Sequence, residues 1–508
     1  MHPETEIVFG PPGTGKTTKL LSIVDSYLQH GLPADQICYV GFTRRSANEA
    51  RERAMIKFNL QEDQLPWFRT LHSTAFGMMM LGKNDIMTVG DWIAIAKQLG
   101  LSITVGAYSN DEGVFAGQTK GDRLLFAESM ARSRMMELKE YWNTIPDEDI
   151  YYYELLQVRE TIETYKKHHN KVDYTDIIYQ FSHSQCYLAP PASVLIVDEA
   201  QDLSPLQWRM VDKLSNTIGK TYIAGDDDQA IFRWAGADVD KLIDLPGQRL
   251  ILTQSYRVPE EIQRVADEIA QRISVRVEKH WKPREAKGSV TYQTSIEHID
   301  MSTGDWLLLA RNAYLLEYYA NECLRQGYIF DMKGNSLIDA KIVPAIEAWN
   351  RLSSGNDVVA SKVKTMWEFM ASGTRITRGY KGKFDDVPNN KMVSLSDLKV
   401  NYGLRLNGSE TWDYALDRIS DREREYFLAA QRKGEQFTDK PRIRISTIHG
   451  AKGAEATNVV VMTDMALRTY VEMEKTMDDE HRVWYVAVSR ARENLHIIQP
   501  MTDKFYQI

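Results

Sequence analysis

The sequence predicts an α/β protein built on two parallel-sheet domains, each carrying an inserted subdomain. Three observations predict it. Short apolar runs of the kind buried on both faces of a parallel sheet fall into two sets, at 7–9, 37–40, 194–197 and 221–224, and at 306–309, 443–445, 459–461 and 495–498. Helical patterns lie between them, as α/β layering requires. Each set is interrupted by a stretch without that alternation, and 508 residues are too many for one core, suggesting about three or four domains.

Taken in order, Ile7, Val8 and Phe9 form the first strand, and Gly10 through Thr17 in "GPPGTGKT" fit G-x-x-x-x-G-K-[ST] without mismatch. Leu20, Leu21, Val24 and Leu28 then recur at helical spacing until Gly31. The loop therefore sits between a strand and a helix, where Gly13 and Gly15 let backbone N–H groups turn inward and the helix N-terminus favours a phosphate chain. Lys16 is spaced to reach the β- and γ-phosphates and Thr17 to hold Mg²⁺. Gly10, Gly13, Thr14, Gly15, Lys16, Thr17 and Thr18 are the expected nucleotide contacts.

The first domain is expected over 1–85 and 166–255. Its insertion, over 86–165, is helical in pattern, with "LLFAESMARSRMMELKEYW" the clearest case. The strand "VLIV" at 194–197 delivers Asp198 and Glu199 to a sheet's carboxyl end, where open α/β sheets present their sites. An aspartate there suits Mg²⁺, and the adjacent glutamate suits activation of a water. The second domain is expected over 256–355 and 441–508. Its insertion, over 356–440, is polar and carries "TRITRGYKGKF".

Hydrophobic content of 43% and charged content of 26% are ordinary for a globular protein. A net charge of −8 excludes a coat of positive potential, so any nucleic-acid site is a local groove. Cys38, Cys186 and Cys323 are too far apart in sequence for a disulfide framework or a metal cluster, which points to a reducing compartment. With no apolar stretch of about 20 residues and no signal-peptide pattern, the expected location is the cytoplasm, away from membranes.

Further segments follow in a fixed order: "VGFTRRSANEARERA", "RTLHSTAF", "VDYTDII", "VDEAQD", "IAGDDDQAIFRWAGAD", "QSYRVPEEI", "LLARNAYLLE", "ISTIHGAKGAEATNVVV" and "RVWYVAVSRARENL". With the phosphate loop ahead of them, they resemble the motif series of superfamily 1A helicases of the UvrD/Rep/PcrA type over nearly the whole chain. The resemblance implies two RecA-like domains of the P-loop NTPase class, with ATP and Mg²⁺ in the cleft between them. It implies that Gln229 senses the γ-phosphate and that Arg257 and Arg490 come from the second domain as arginine fingers. Tyr256 would stack on adenine and Glu455 contact the ribose. On the DNA side it implies Phe42, Phe232 and Trp234 along the single strand, with Arg44, His72, Arg233, Asn312 and His449 beside them.

The activity so implied is ATP-driven 3′-to-5′ movement on single-stranded DNA with duplex unwinding. The rivals are a translocase that strips bound proteins, and a regulator that uses ATP as a switch. Expected partners are single-stranded and junction DNA, with a single-strand-binding protein or a replication or repair factor beside them, and a monomer or weak oligomer as the working form. Three features depart from the family pattern. No glutamine stands among the nine residues before Gly10, Ala235 occupies the place of an arginine, and the 18 residues after Arg490 leave the usual strand-separating hairpin short. Lower DNA affinity, or affinity carried elsewhere, is the expectation from Ala235.

Overall fold

Alternation along the strands explains how one sheet serves two cores. In the computed structural model, which describes residues 4–104, 119–145, 147, 149–332, 339–435 and 441–508, six parallel strands lie in the order β3-β2-β4-β5-β1-β6. They are β1 (Thr5–Phe9), β2 (Ile37–Gly41), β3 (Phe68–Thr70), β4 (Val194–Asp198), β5 (Lys220–Gly225) and β6 (Gln248–Ile251). Ile7, Phe9, Cys38, Val40, Leu195 and Val197 enter the core on one face. Val8, Ile37, Tyr39, Val194 and Ile196 enter the core on the other. Successive residues of a strand point to opposite faces, so a run apolar throughout buries on both sides. Of these strands, β3 and β6 are not among the apolar runs: β3 has three residues, and three of the four residues of β6 are exposed.

A two-stranded parallel ribbon, β7 (Gln254–Pro259) and β8 (Lys282–Arg284), follows. The second sheet is also parallel throughout, in the order β11-β14-β10-β15-β16-β9. Its strands are β9 (Ser289–Gln293), β10 (Trp306–Ala310), β11 (Phe330–Met332), β14 (Ile443–Thr447), β15 (Ala456–Met462) and β16 (Ala491–Ile498). A small antiparallel pair, β12 (Val358–Val359) and β13 (Met392–Val393), belongs to the second insertion. The expected fold class of two parallel-sheet domains with insertions is the observed one.

Each insertion has its own core, which is why each reads as a break in the alternation. Trp92, Leu124, Leu125, Leu155 and Ile162 pack together in the first. Trp349, Trp367, Phe384, Trp412 and Phe427 do so in the second, which therefore draws on the helix Ile342–Ser353, N-terminal to the expected edge at 356. Parts of the expected insertions, 105–118, 146, 148 and 436–440, lie outside the described residues.

The chain divides into two compact units, Met1–Ala286 with Thr476–Val486, and Lys287–Lys475 with Ala487–Ile508. Residues 256–286 thus pack with the first sheet, beyond the sequence-expected edge at 255. Among the described residues no helix is long and apolar enough to cross a membrane.

Candidate functional site

Strand order brings distant residues together at one end of the first sheet. Because β5 lies between β1 and β4, the segments that follow these three strands are neighbours. After β1, Gly10 N donates to Gly225 O at 3.0 Å, and Thr14 Oγ1 closes the turn on Pro11 O at 2.8 Å. Gly13 and Gly15 have φ of 71° and 78°, and a Cβ at Gly13 would collide with the Arg257 side chain. Only glycine adopts this conformation without strain and leaves that room. The Lys16 ammonium donates to Gly10 O at 3.0 Å, across the mouth of the loop.

Thr17 Oγ1 lies 3.3 Å from Asp198 Oδ2, a contact between residues 181 apart in sequence. The same carboxylate oxygen accepts from Tyr39 OH at 2.7 Å, and Asp198 Oδ1 accepts from Glu199 N at 2.9 Å. Burial, reinforced by the charge of Glu199, pushes the Asp198 carboxyl up to about 6. A hydroxyl and a buried carboxylate at the loop are the hard oxygen donors that Mg²⁺ takes, so the residues present fit that ion. Glu199 stands in the left-handed region at φ 55°, a conformation that costs a non-glycine residue about 1–3 kcal/mol and that gathers at functional sites. Gln201 Nε2 donates to Glu199 Oε2 at 2.5 Å, and Gln201 Oε1 accepts from Asp226 N at 3.1 Å. Gln229 Nε2 in turn donates to Asp226 Oδ2 at 2.6 Å. A hydrogen-bonded path thus runs from Glu199 through Gln201 and Asp226 to Gln229.

Behind this path lies a dense buried charge cluster. Lys279, its side chain 1% exposed, contacts Asp226 at 3.0 Å, Asp228 at 2.9 Å, and Asp227. Arg276 grips Asp228 through Nε at 2.8 Å and Nη2 at 2.5 Å, and Arg482 Nε donates to Asp227 O at 2.9 Å. Burial alone would disfavour the Lys279 ammonium, but the three carboxylates more than offset it and hold its pKa above the usual lysine range. On Asp226, Lys279 and Lys16 together outweigh burial and lower the pKa.

Tyr256 and Arg257, expected on the second domain, lie in the first unit. The cause is β7, which is tied to the phosphate loop: Ser255 Oγ donates to Pro12 O and Tyr256 N to Gly13 O, each at 2.8 Å. The Tyr256 ring is exposed beside Gly15. In the second unit, Arg490 is buried, and Glu455 pairs with Arg492. Asn312 is held at both ends of its amide, Nδ2 donating to Thr469 Oγ1 at 2.9 Å and Oδ1 accepting from Ala466 N at 2.8 Å. His449 sits in the turn after β14, its carbonyl accepting from Lys452 N.

Residues 2–248 match the family model described as the UvrD/REP helicase N-terminal domain, and residues 424–501 match that of the UvrD-like helicase C-terminal domain. The chain belongs to the UvrD/Rep helicase family. Within that family it is 20% identical to YjcD of Bacillus subtilis (strain 168), over 98% of this chain and 77% of YjcD. It is 25% identical to the ATP-dependent DNA helicase PcrA of the same organism, over 55% of this chain and 39% of PcrA. A shorter stretch, 21% of this chain and 15% of the relative, is 31% identical to DNA helicase II of Haemophilus influenzae. The match thus spans most of YjcD but about two fifths of PcrA.

The three aromatic residues expected along the DNA in this UvrD-family chain, Phe42, Phe232 and Trp234, lie in the first unit. Phe42 and Phe232 have ring centroids 6.0 Å apart, and His72 meets Tyr174 edge-on at 5.9 Å. These four residues line one cavity with Ala235. Trp234 is 41% exposed on the adjoining turn. Arg233 lies 3.4 Å from Asp240 and 3.5 Å from Asp479, and Arg44 is exposed at the start of the helix Arg44–Phe58. Sequence reasoning missed Tyr39, Gln201, Asp226 and Lys279. Tyr39 reads as one more residue of an apolar strand, and Lys279 sits in a segment with no motif.

Proposed function

We propose that this protein is an ATP-driven motor that moves 3′ to 5′ on single-stranded DNA and separates duplexes. The observation that carries the reading is the convergence of Lys16, Thr17, Asp198, Glu199 and Gln229 at the ends of three adjacent strands, in a chain whose relatives are named ATP-dependent DNA helicases. Lys16 and the N–H groups of Gly13 to Thr18 would hold the phosphates, and Thr17 and Asp198 would hold Mg²⁺, which supplies positive charge to the phosphate oxygens. Glu199 orients a water and takes its proton. Gln229 passes the state of the γ-phosphate along the Asp226 path, and Arg257 and Arg490 neutralise charge developing on the transferred group. Tyr256 stacks on the base of the nucleotide and Glu455 meets its ribose.

Phe42, Phe232 and Trp234 serve as sequence-indifferent platforms for bases. Arg44, Arg233, His72, Asn312 and His449 attend the strand. The test is ATPase activity with and without single-stranded DNA, followed by unwinding of duplexes tailed at one end or the other. Stimulation by DNA and preference for a 3′ tail are expected; unwinding from 5′ tails alone overturns the direction, and DNA-indifferent hydrolysis overturns the motor.

Two measurements bear on the DNA side. Trp234→Ala is expected to weaken single-strand binding by about 1–3 kcal/mol, the range for losing a base-stacking ring, while basal hydrolysis survives. Equal loss of both, with a lowered melting temperature, would mark Trp234 as a packing residue. Binding is also expected to fall with salt despite the net charge of −8. If Arg44, Arg45 and Arg233 each meet one phosphate, affinity drops about 20-fold between 50 and 200 mM salt, from a slope of about −0.7 per contact. A flat titration removes the local basic groove.

A further inference from the structure

We propose that Phe126, carried by the helical insertion, closes with Trp234 on a single nucleobase, so that the insertion supplies one jaw of the DNA path. This rests on the reading of Trp234 as a base platform. The helix Lys120–Ser133 is fixed at its start by Thr119 Oγ1, which accepts from Asp122 N at 3.0 Å, while Asp122 Oδ1 accepts from Thr104 N at 2.8 Å. Residues three and four apart share a helix face, so Phe126, Ser129, Met130 and Ser133 form one stripe. Leu124, Leu125 and Ala131 bury in the insertion's own core, which Met130 also joins and against which Phe126 packs in part.

That stripe is turned towards the 232–236 turn. Phe126 lies nearly parallel to Trp234, with centroids 6.3 Å apart and an interplanar angle of 25°. Met130 Sδ is 3.3 Å from where a Cβ on Gly236 would stand, a position whose φ of 97° already suits glycine. Ser129, Met130 and Ser133 line the same cavity as Phe42, His72 and Phe232. Just past the helix, Arg134 Nη2 donates to Arg233 O at 2.9 Å and pins the insertion to the turn. It brings a guanidinium to the turn in which Ala235 takes the place of the family's arginine.

The two rings lie nearly parallel without close face contact, towards the long end of the about 4.5–7 Å range of ring pairs. Tyr39 and Phe68, buried in the same unit, stack directly at 5.1 Å and 15°. A base between two parallel rings needs about twice the 3.4 Å stacking distance, or about 6.8 Å. The Phe126–Trp234 pair is therefore about 0.5 Å short of admitting one. Both rings stay partly in solvent, with Trp234 41% exposed and Phe126 half-buried, and Arg134 Nη2 reaches the carbonyl of Arg233, the residue before Trp234. Rings at the surface with arginines alongside suit a base of a single strand, because every base offers a π-face and its phosphate attracts the guanidinium.

The experiment measures binding of a fluorescein-labelled oligothymidylate by anisotropy, and quenching of 2-aminopurine within a single strand, for Phe126→Ala, Phe126→Leu, Phe126→Tyr and Trp234→Ala. Phe126→Ala and Phe126→Leu are expected to weaken binding about 5- to 150-fold and to relieve quenching, the ring being what stacks. Phe126→Tyr should bind as the parent does. Phe126→Leu keeps apolar packing and should melt as the parent does, so its loss of binding cannot come from unfolding. Combining Phe126→Ala with Trp234→Ala should cost less than the sum of the two, since both rings hold one base. Parent-like binding by Phe126→Leu with a clear loss in Trp234→Ala overturns the clamp and leaves the platform standing. Parent-like binding by both overturns the platform as well.

Discussion

Replacing Lys279 by methionine is expected to destabilise the first unit by about 3–5 kcal/mol, the cost of removing one partner from a buried ion pair. The ammonium is shared by Asp226, Asp227 and Asp228, all fully buried, and methionine fills similar space without a charge. What remains is a set of carboxylates that water does not reach, with Arg276 offsetting Asp228 alone among them through a direct side-chain bond. In a thermal scan the first unit should unfold on the order of 10 °C earlier. Adding Asp227→Asn should recover part of that loss, because the Asp227 carboxyl is already pushed upward by burial and by its aspartate neighbours. A Lys279→Met protein that melts with the parent would mean that the cluster contributes little to holding 276–279 against the sheet. The effect should also reach the site, since Asp226 is the acceptor for the Gln229 amide.

Glu199→Gln is expected to slow hydrolysis by about 10²- to 10⁴-fold, the range for losing a general base, while nucleotide and Mg²⁺ still bind. Binding and water activation rest on different side chains: Lys16 and the loop N–H groups on one hand, Glu199 on the other. The substitution is nearly isosteric, so the left-handed backbone at 199 and the bond from Glu199 N to Asp198 Oδ1 are kept. Lys16→Ala should by contrast abolish hydrolysis with binding impaired, because the loop has no other cation. Equilibrium binding of a fluorescent nucleotide and single-turnover hydrolysis separate the two outcomes. Near-normal turnover by Glu199→Gln would remove it as the base and turn attention to other groups on the Asp226 path.

The phosphate loop, the acidic end of β4 and the order of the motifs were legible in the sequence because each is local. A loop needs its glycines and lysine at fixed offsets, and a strand buried on both faces needs a run of apolar residues, so both are written in consecutive letters. The two parallel sheets followed from the same signal, and the insertions from its interruption. β3, only three residues long, and β6, mostly exposed, carry no such run. Tertiary structure alone decided that Tyr39, a core residue by pattern, turns its hydroxyl onto Asp198, and that Lys279 neutralises three aspartates about 50 residues upstream. It decided too that Tyr256 and Arg257 pack with the phosphate loop, and that Phe126 of the insertion faces Trp234. These are pairings across long loops, set by strand order and by which charge or ring finds a partner once water is excluded, and periodicity in one stretch of chain holds no record of what the other stretch brings.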